Sequence, residues 1–164
     1  MKKIPLTHGF EAIVDDEDLE MLSRFKWHVH PHHGNYYAVS GIKGKNMRMH
    51  RKILDAKTGE LVDHIDGNGL NNTRQNLRLV NKNQNQWNSK KRKSNHSGFK
   101  GISYHNDCYR RKPWQALISI NYKRKHLGHF STPEEAAAAY DEAAIRYFGE
   151  YAKTNAQIEK EKEA

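Results

Sequence analysis

The sequence predicts an α+β chain in two parts. A small β-rich N-terminal region leads into a polar, asparagine-dense segment, and a basic linker then joins this to a three-stranded antiparallel sheet packed on one α-helix. Three observations carry the prediction. Residues 114–122 (WQALISINY) alternate strictly, with Trp114, Ala116, Ile118 and Ile120 on one face and Gln115, Leu117, Ser119 and Asn121 on the other, as a half-buried strand requires. Thr132-Pro133-Glu134-Glu135 supplies an N-cap, a proline at the first helical position and an acid three residues after the cap; an alanine-rich run follows and stops at Gly149. Between the halves, 89–97 (SKKRKSNHS) is polar, basic and without apolar periodicity.

The N-terminal elements follow in order. Residues 4–14 read as a strand or hairpin, and Asp15 to Asp18 open a short helix through Leu19, Met21, Leu22 and Phe25, where acids favour the helix dipole. Trp27 to His30 and Tyr36 to Ile42 are two β-prone runs separated by Pro31 and Gly34-Asn35, a hairpin signal. Met47 to Leu54 reads as a further strand or a helix start. Beyond the linker, Gly98 to Tyr104 and Lys125 to Phe130 flank the alternating strand, with a turn at Asn121 to Arg124. The last residues, IEKEKEA, read as a frayed charged tail. The expected divisions are 1–88 (with 61–88 as the chemically dense part), 89–97 as linker, 98–155, and a tail at 156–164.

A chain of 164 residues divided in this way gives each half only a thin core. The net charge of +9 points to an anionic partner, with nucleic acid first and an anionic membrane surface behind it. No run approaches a transmembrane span and no apolar signal-peptide core follows Met1, so a cytoplasmic protein is expected. A single cysteine, Cys108, excludes an internal disulfide and any zinc site built on paired thiolates. From Gly67 through Asn106 there is no Asp or Glu, while Arg74, Arg78, Lys82, Lys90, Lys91, Arg92, Lys93 and Lys100 all fall inside, which suits a phosphate-facing surface.

The densest chemistry is Leu61 to Asn72 (LVDHIDGNGLNN), then Asn76-Leu77-Arg78 and Asn81 to Asn88. Phosphodiester hydrolysis requires an activated water, a cation to stabilise charge on the phosphate, and an in-line geometry. Adjacent Asp63 and His64 can divide those tasks if the strand ends or twists there, because neighbouring strand residues otherwise face opposite ways. An isolated Asp-His pair is usually a surface pair and an Asn/Gly run usually a turn; the downstream asparagines and Arg78 change that weighting. The stretch resembles the HNH endonuclease family, particularly its phage and intron-associated homing enzymes. The resemblance implies two antiparallel strands and a helix clasping one divalent metal. It implies that His64 is the general base, that Asp63 and Asn85 ligate the metal, and that Asn76 holds the loop in shape. Many relatives carry histidine where this chain has Asn85; two oxygen ligands favour Mg²⁺, or Mn²⁺, over zinc. Asn83 is the alternative if the helix register differs. His28 to His33 could bind a transition metal but is read as a solvated turn, and His50 is assigned no role.

Residues 98–155 resemble the APETALA/ethylene-response-factor type DNA-binding domain through Phe99-Lys100-Gly101-Ile102, Trp114-Gln115-Ala116, His126-Leu127-Gly128-His129-Phe130 and the Thr132 helix. The resemblance implies a sheet that enters the major groove and is braced by its helix. Ala116, Ile118, Leu127 and Phe130 then belong to the core, and Lys100, Ser103, His105, Gln115, Ser119, Arg124 and His126 face DNA, joined by Arg78 and the arm Lys90, Lys91, Arg92 and Lys93. The expected protein is thus a metal-dependent endonuclease acting on double-stranded DNA, as a monomer or transient dimer, from a phage or bacterial mobile element. Two other readings stand beside it. One is a DNA-binding regulator with an inactive nuclease half; the other is an RNA-directed protein, disfavoured by the lack of a strip of exposed aromatics.

Overall fold

The structure is a computed structural model and describes residues 1–42, 44–89, 95–105 and 111–163. It is a mixed α+β fold made of several small antiparallel sheets. The chain divides into two compact units, Met1–Asn85 and Gln86–Ala164.

In the first unit, β1 (Lys2–Pro5) pairs with β2 (Glu11–Val14), and α1 (Asp16–Ser23) follows. A three-stranded sheet comes next, in the order β3 (His28–His32), β4 (Asn35–Ile42), β5 (Lys45–Arg48), and runs directly into α2 (Met49–Ile53). The polar segment forms β6 (Leu61–His64) and β7 (Leu77–Val80), an antiparallel pair followed by α3 (Lys82–Trp87). Alternation on β2 buries Ala12 and Val14, which meet Leu22, Trp27, Met49, Ile53 and Leu77 in one core. The acids of α1 do more than complement its dipole. Asp18, only 2% exposed, takes a two-pronged contact from Arg74 (2.9 and 2.7 Å), and Asp15 accepts from the Arg74 backbone.

In the second unit, β8 (Ile102–Tyr104), β9 (Trp114–Ile120) and β10 (Lys123–Phe130) form a sheet in the order β10-β9-β8. Its inner face packs Ile102, Ala116 and Ile118 on Ala136, Tyr140, Ala144 and Phe148 of α4 (Pro133–Phe148). The small side chains of α4 let it lie close to the sheet. Thr132 caps it by accepting from the Glu135 backbone at 3.2 Å, as the sequence predicts. Gly101 marks the tightest approach. Its φ is +77°, and a Cβ there would stand 2.2 Å from the Tyr140 ring. Gly101→Ala is expected to lower the stability of the C-terminal unit by about 3 kcal/mol, a left-handed backbone penalty plus overpacking. Urea unfolding followed by tryptophan fluorescence measures it.

Three elements differ from expectation: β8 is confined to Ile102–Tyr104, the expected strand start at 98–101 forming turns instead. The turn between β9 and β10 is tighter than expected, with Ile120 paired to Lys123 and only Asn121 and Tyr122 between them, both at positive φ. The C-terminal tail is a helix, α5 (Asn155–Glu163), rather than a frayed end. Thr154 and Gln157 cap it reciprocally, each side chain accepting from the other's backbone N–H. Asp141 of α4 accepts from Asn155 and Ala156, and Ile158 is buried. The Thr-Asn-Ala-Gln spacing was readable, but the charge run hid it. The unit boundary falls within α3, ahead of the 89–97 stretch, of which 90–94 lie outside the described residues.

Candidate active site

Strand β6 ends at His64, where a turn closes through Gly67 N–H to the His64 carbonyl (2.9 Å). Asp63 and His64, both buried, therefore stand at the mouth of the β6–β7 hairpin with different neighbours. Opposite Asp63 in register is Arg78, which donates to Asp63 Oδ2 from Nε (3.1 Å) and Nη2 (3.0 Å). Both members of this pair are nearly enclosed, with side-chain exposures of 13% for Arg78 and 10% for Asp63. His64 meets Asn72, His50 and Tyr37. Its Nε2 lies 3.4 Å from Asn72 Oδ1; the His50 ring stands edge-on at 4.9 Å, and the Tyr37 ring lies 5.9 Å away.

The loop between the strands is held by asparagines. Asn76 Nδ2 donates to Asp66 Oδ1 (2.9 Å) and to the Asn71 carbonyl (2.8 Å), while its Oδ1 accepts from Asp66 N–H (3.0 Å). Asn71 donates to the second Asp66 oxygen (2.8 Å). From β4, Asn35 reaches the Gly67 carbonyl (2.9 Å) and the loop lies against the strand there, so closely that a Cβ on Gly69 would stand 2.4 Å from the Tyr36 carbonyl oxygen. From β2, Ile13 receives the Asn72 N–H (2.7 Å) and donates to the Leu70 carbonyl (2.9 Å).

Burial dominates the electrostatics. It pushes the His50 imidazole down to about 3, helped by the neighbouring His64, Arg48 and Arg51. Burial also lowers His64, against the opposing pull of the Asn72 hydrogen bond and the Asp66 and Asp63 carboxylates. Both rings are thus neutral near pH 7.

Asn85 lies on α3 and is exposed, while Asn83 is half-buried. Among the described residues no three His, Cys, Asp or Glu side chains are grouped as a ligand set, including His28 to His33 in the β3–β4 hairpin. Asp63 and Asn85, the residues that the family resemblance implies as ligands, both offer oxygen donors. That chemistry fits a hard divalent ion.

Sequence reasoning passed over Tyr37 and Asn72 as site members and left His50 without a role. Asn72 is fully buried although polar, and that burial is what marks it.

On the C-terminal sheet, residues that alternate with the core line the open face. Ser103, Gln115 and His129 stand in one row, Leu117 and His126 in a second, and Ser119 and Arg124 in a third. His105 Nε2 lies 2.9 Å from Gln115 Oε1 and 3.4 Å from Ser103 Oγ, and the His126 and His129 rings are 4.8 Å apart. His129 joins the expected set through its register. Two expected phosphate contacts are placed elsewhere. Arg78 is committed to Asp63, and Lys100 donates to the carbonyls of Trp87 (2.7 Å) and Lys153 (3.4 Å), its ammonium pushed by burial down to about 8. With Arg74 held by Asp18, three cations of the acid-free stretch serve internal contacts. Lys90, Lys91, Arg92, Lys93 and Cys108 lie outside the described residues.

An HNH endonuclease family profile matches residues 48–87, from the end of β5 through α3. An uncharacterized HNH endonuclease of Acanthamoeba polyphaga mimivirus is 35% identical over 153 residues, which cover 90% of this chain and 75% of that protein. This chain belongs to the HNH endonuclease family. Protein 3.8 of Escherichia phage T7 is also similar to the nuclease, 38% identical over 88 residues, with 51% of this chain and 70% of that protein covered. The ethylene-responsive transcription factor WRI1 of Arabidopsis thaliana is 44% identical over 64 residues, 38% of the nuclease chain and 14% of that protein. No solved structure matches the nuclease. Among its described residues no helix is long and apolar enough to cross a membrane.

Proposed function

We propose that this nuclease hydrolyses phosphodiester bonds in duplex DNA with His64 as general base. The observation that supports this most is the Asn72 contact. With Asn72 Oδ1 accepting at 3.4 Å, the His64 proton would sit on Nε2 and the basic lone pair on Nδ1. A buried, neutral imidazole held in one tautomer is suited to removing a proton from a nucleophilic water. Asn76 is a positioning residue, clamping the Asp66 loop that fixes where β6 ends. Asp63, with Asn85 from α3, would hold Mg²⁺ or Mn²⁺, which when bound supplies charge stabilisation for the phosphate and leaving oxygen.

The open face of the C-terminal sheet, with Ser103, His105, Gln115, Ser119, Arg124, His126 and His129, and the basic arm 90–93, would bind the duplex. The likeness to a plant ethylene-responsive transcription factor supports this reading. With one active site per chain, nicking or transient dimerisation on DNA follows. We place the protein among phage or mobile-element enzymes acting in the cytoplasm of a bacterial host.

Conversion of supercoiled plasmid to nicked or linear forms with Mg²⁺, and its loss with EDTA, tests the activity. If wild type and His64→Ala were equally inactive across Mg²⁺, Mn²⁺ and Zn²⁺ while both bound DNA, the chain would be a DNA-binding regulator instead.

A further inference from the structure

We propose that the β9–β10 hairpin tip is a contact for the DNA backbone, with the Tyr122 ring lying against the sugar-phosphate chain. The inference rests on the reading of the open sheet face as the duplex-binding surface. Tyr122 is 81% exposed and sits at φ +64°, beside Asn121 at φ +49°. A two-residue reversal of this kind is best served by glycine at its second position, and a bulky aromatic in left-handed backbone is a genuine outlier. Neither the turn nor the core explains the tyrosine, because the turn would form better without it and its ring is bare to solvent.

Its neighbourhood is cationic. Lys123 and Arg124 follow it directly and both are exposed. Arg124 stands opposite Ser119 in the row of the open face next to the tip.

Dimensions favour a backbone contact over a base contact. From Gln115 in the middle of the sheet to Tyr122 is seven residues, about 23 Å at about 3.3 Å per residue. The major groove is about 12 Å wide. Strands laid across the groove, with the Ser103–Gln115–His129 row seated at its centre, carry the hairpin tip out onto the groove wall. There an amphipathic ring can cover deoxyribose with its face and donate its hydroxyl to a phosphate. Such a contact is indifferent to sequence.

The test uses the full chain, with melting temperature and duplex affinity by fluorescence anisotropy measured together. Tyr122→Gly is expected to melt about 3 °C higher, because the turn is relieved. It is also expected to bind about tenfold more weakly to each of two duplexes of unrelated sequence. Its salt slope should match wild type, since no charge is lost, whereas Lys123→Ala should flatten the slope by about 0.9. Unchanged affinity, or a melting temperature that falls, would overturn the proposal. If Arg124→Ala and Gln115→Ala weaken binding while Tyr122→Gly does not, the tip alone is refuted. If none of the three changes affinity, the sheet itself is not the DNA-binding face.

Discussion

His64→Ala is expected to reduce plasmid cleavage by about 10²- to 10⁴-fold, the usual worth of a positioned general base, while duplex affinity stays at the wild-type level. The side chain is buried and its neighbours are Asn72, His50 and Tyr37, so truncation removes the base without removing an exposed phosphate contact. The pH profile adds a second readout. Base function needs the neutral ring, which exists above the group's titration point. Burial lowers that point below the ordinary histidine value near 6.5, so the acid limb of the wild-type rate should lie below pH 6.5. An acid limb at or above 6.5, with cleavage otherwise normal, would show that a different group limits the rate.

Arg78→Met should be the most damaging single change to stability in the nuclease unit, costing about 3–5 kcal/mol by removing the guanidinium that faces the enclosed Asp63 carboxylate. It should abolish cleavage as well, because Asp63 loses the two guanidinium contacts that hold its carboxylate in place next to His64. Reciprocal loss distinguishes the pair from ordinary packing. The double variant Asp63→Leu/Arg78→Met should recover most of the lost stability in urea while remaining inactive. If the double variant were as unstable as Arg78→Met alone, the contribution of Arg78 would lie in its aliphatic stem and not in the ion pair.

The part of this fold that was legible in the sequence is the part governed by neighbours along the chain. The alternation of 114–120 set the inner and outer faces of β9 correctly, and the Thr132 cap was found where its spacing placed it. The family was legible for the same reason, since the segment around Asp63-His64 and Asn76 is a compact pattern along the chain, and the family profile covers it. What escaped depends on partners far away in sequence. Arg74, Arg78 and Lys100 look alike in a run without acids, yet Asp18 lies 56 residues from Arg74 and Lys153 lies 53 from Lys100. No local pattern separates a cation that will be neutralised by a remote acid or carbonyl from one left facing solvent. Asn72 and Tyr37 escaped likewise, because an asparagine in a glycine-rich turn and a tyrosine in a strand have obvious local explanations. Only folding brings both against His64.

The two backbone hydrogen bonds that join Ile13 to Leu70 and Asn72 carry a practical consequence for dissection and transplantation. Asn72, which faces His64 Nε2, is held by a strand that lies outside residues 48–87, the stretch shared with the family profile. Moved to another scaffold, that stretch would take its reactive groups along and leave behind the rail against which one of them is aligned. A minimal catalytic module cut from this protein has to begin upstream of Ile13.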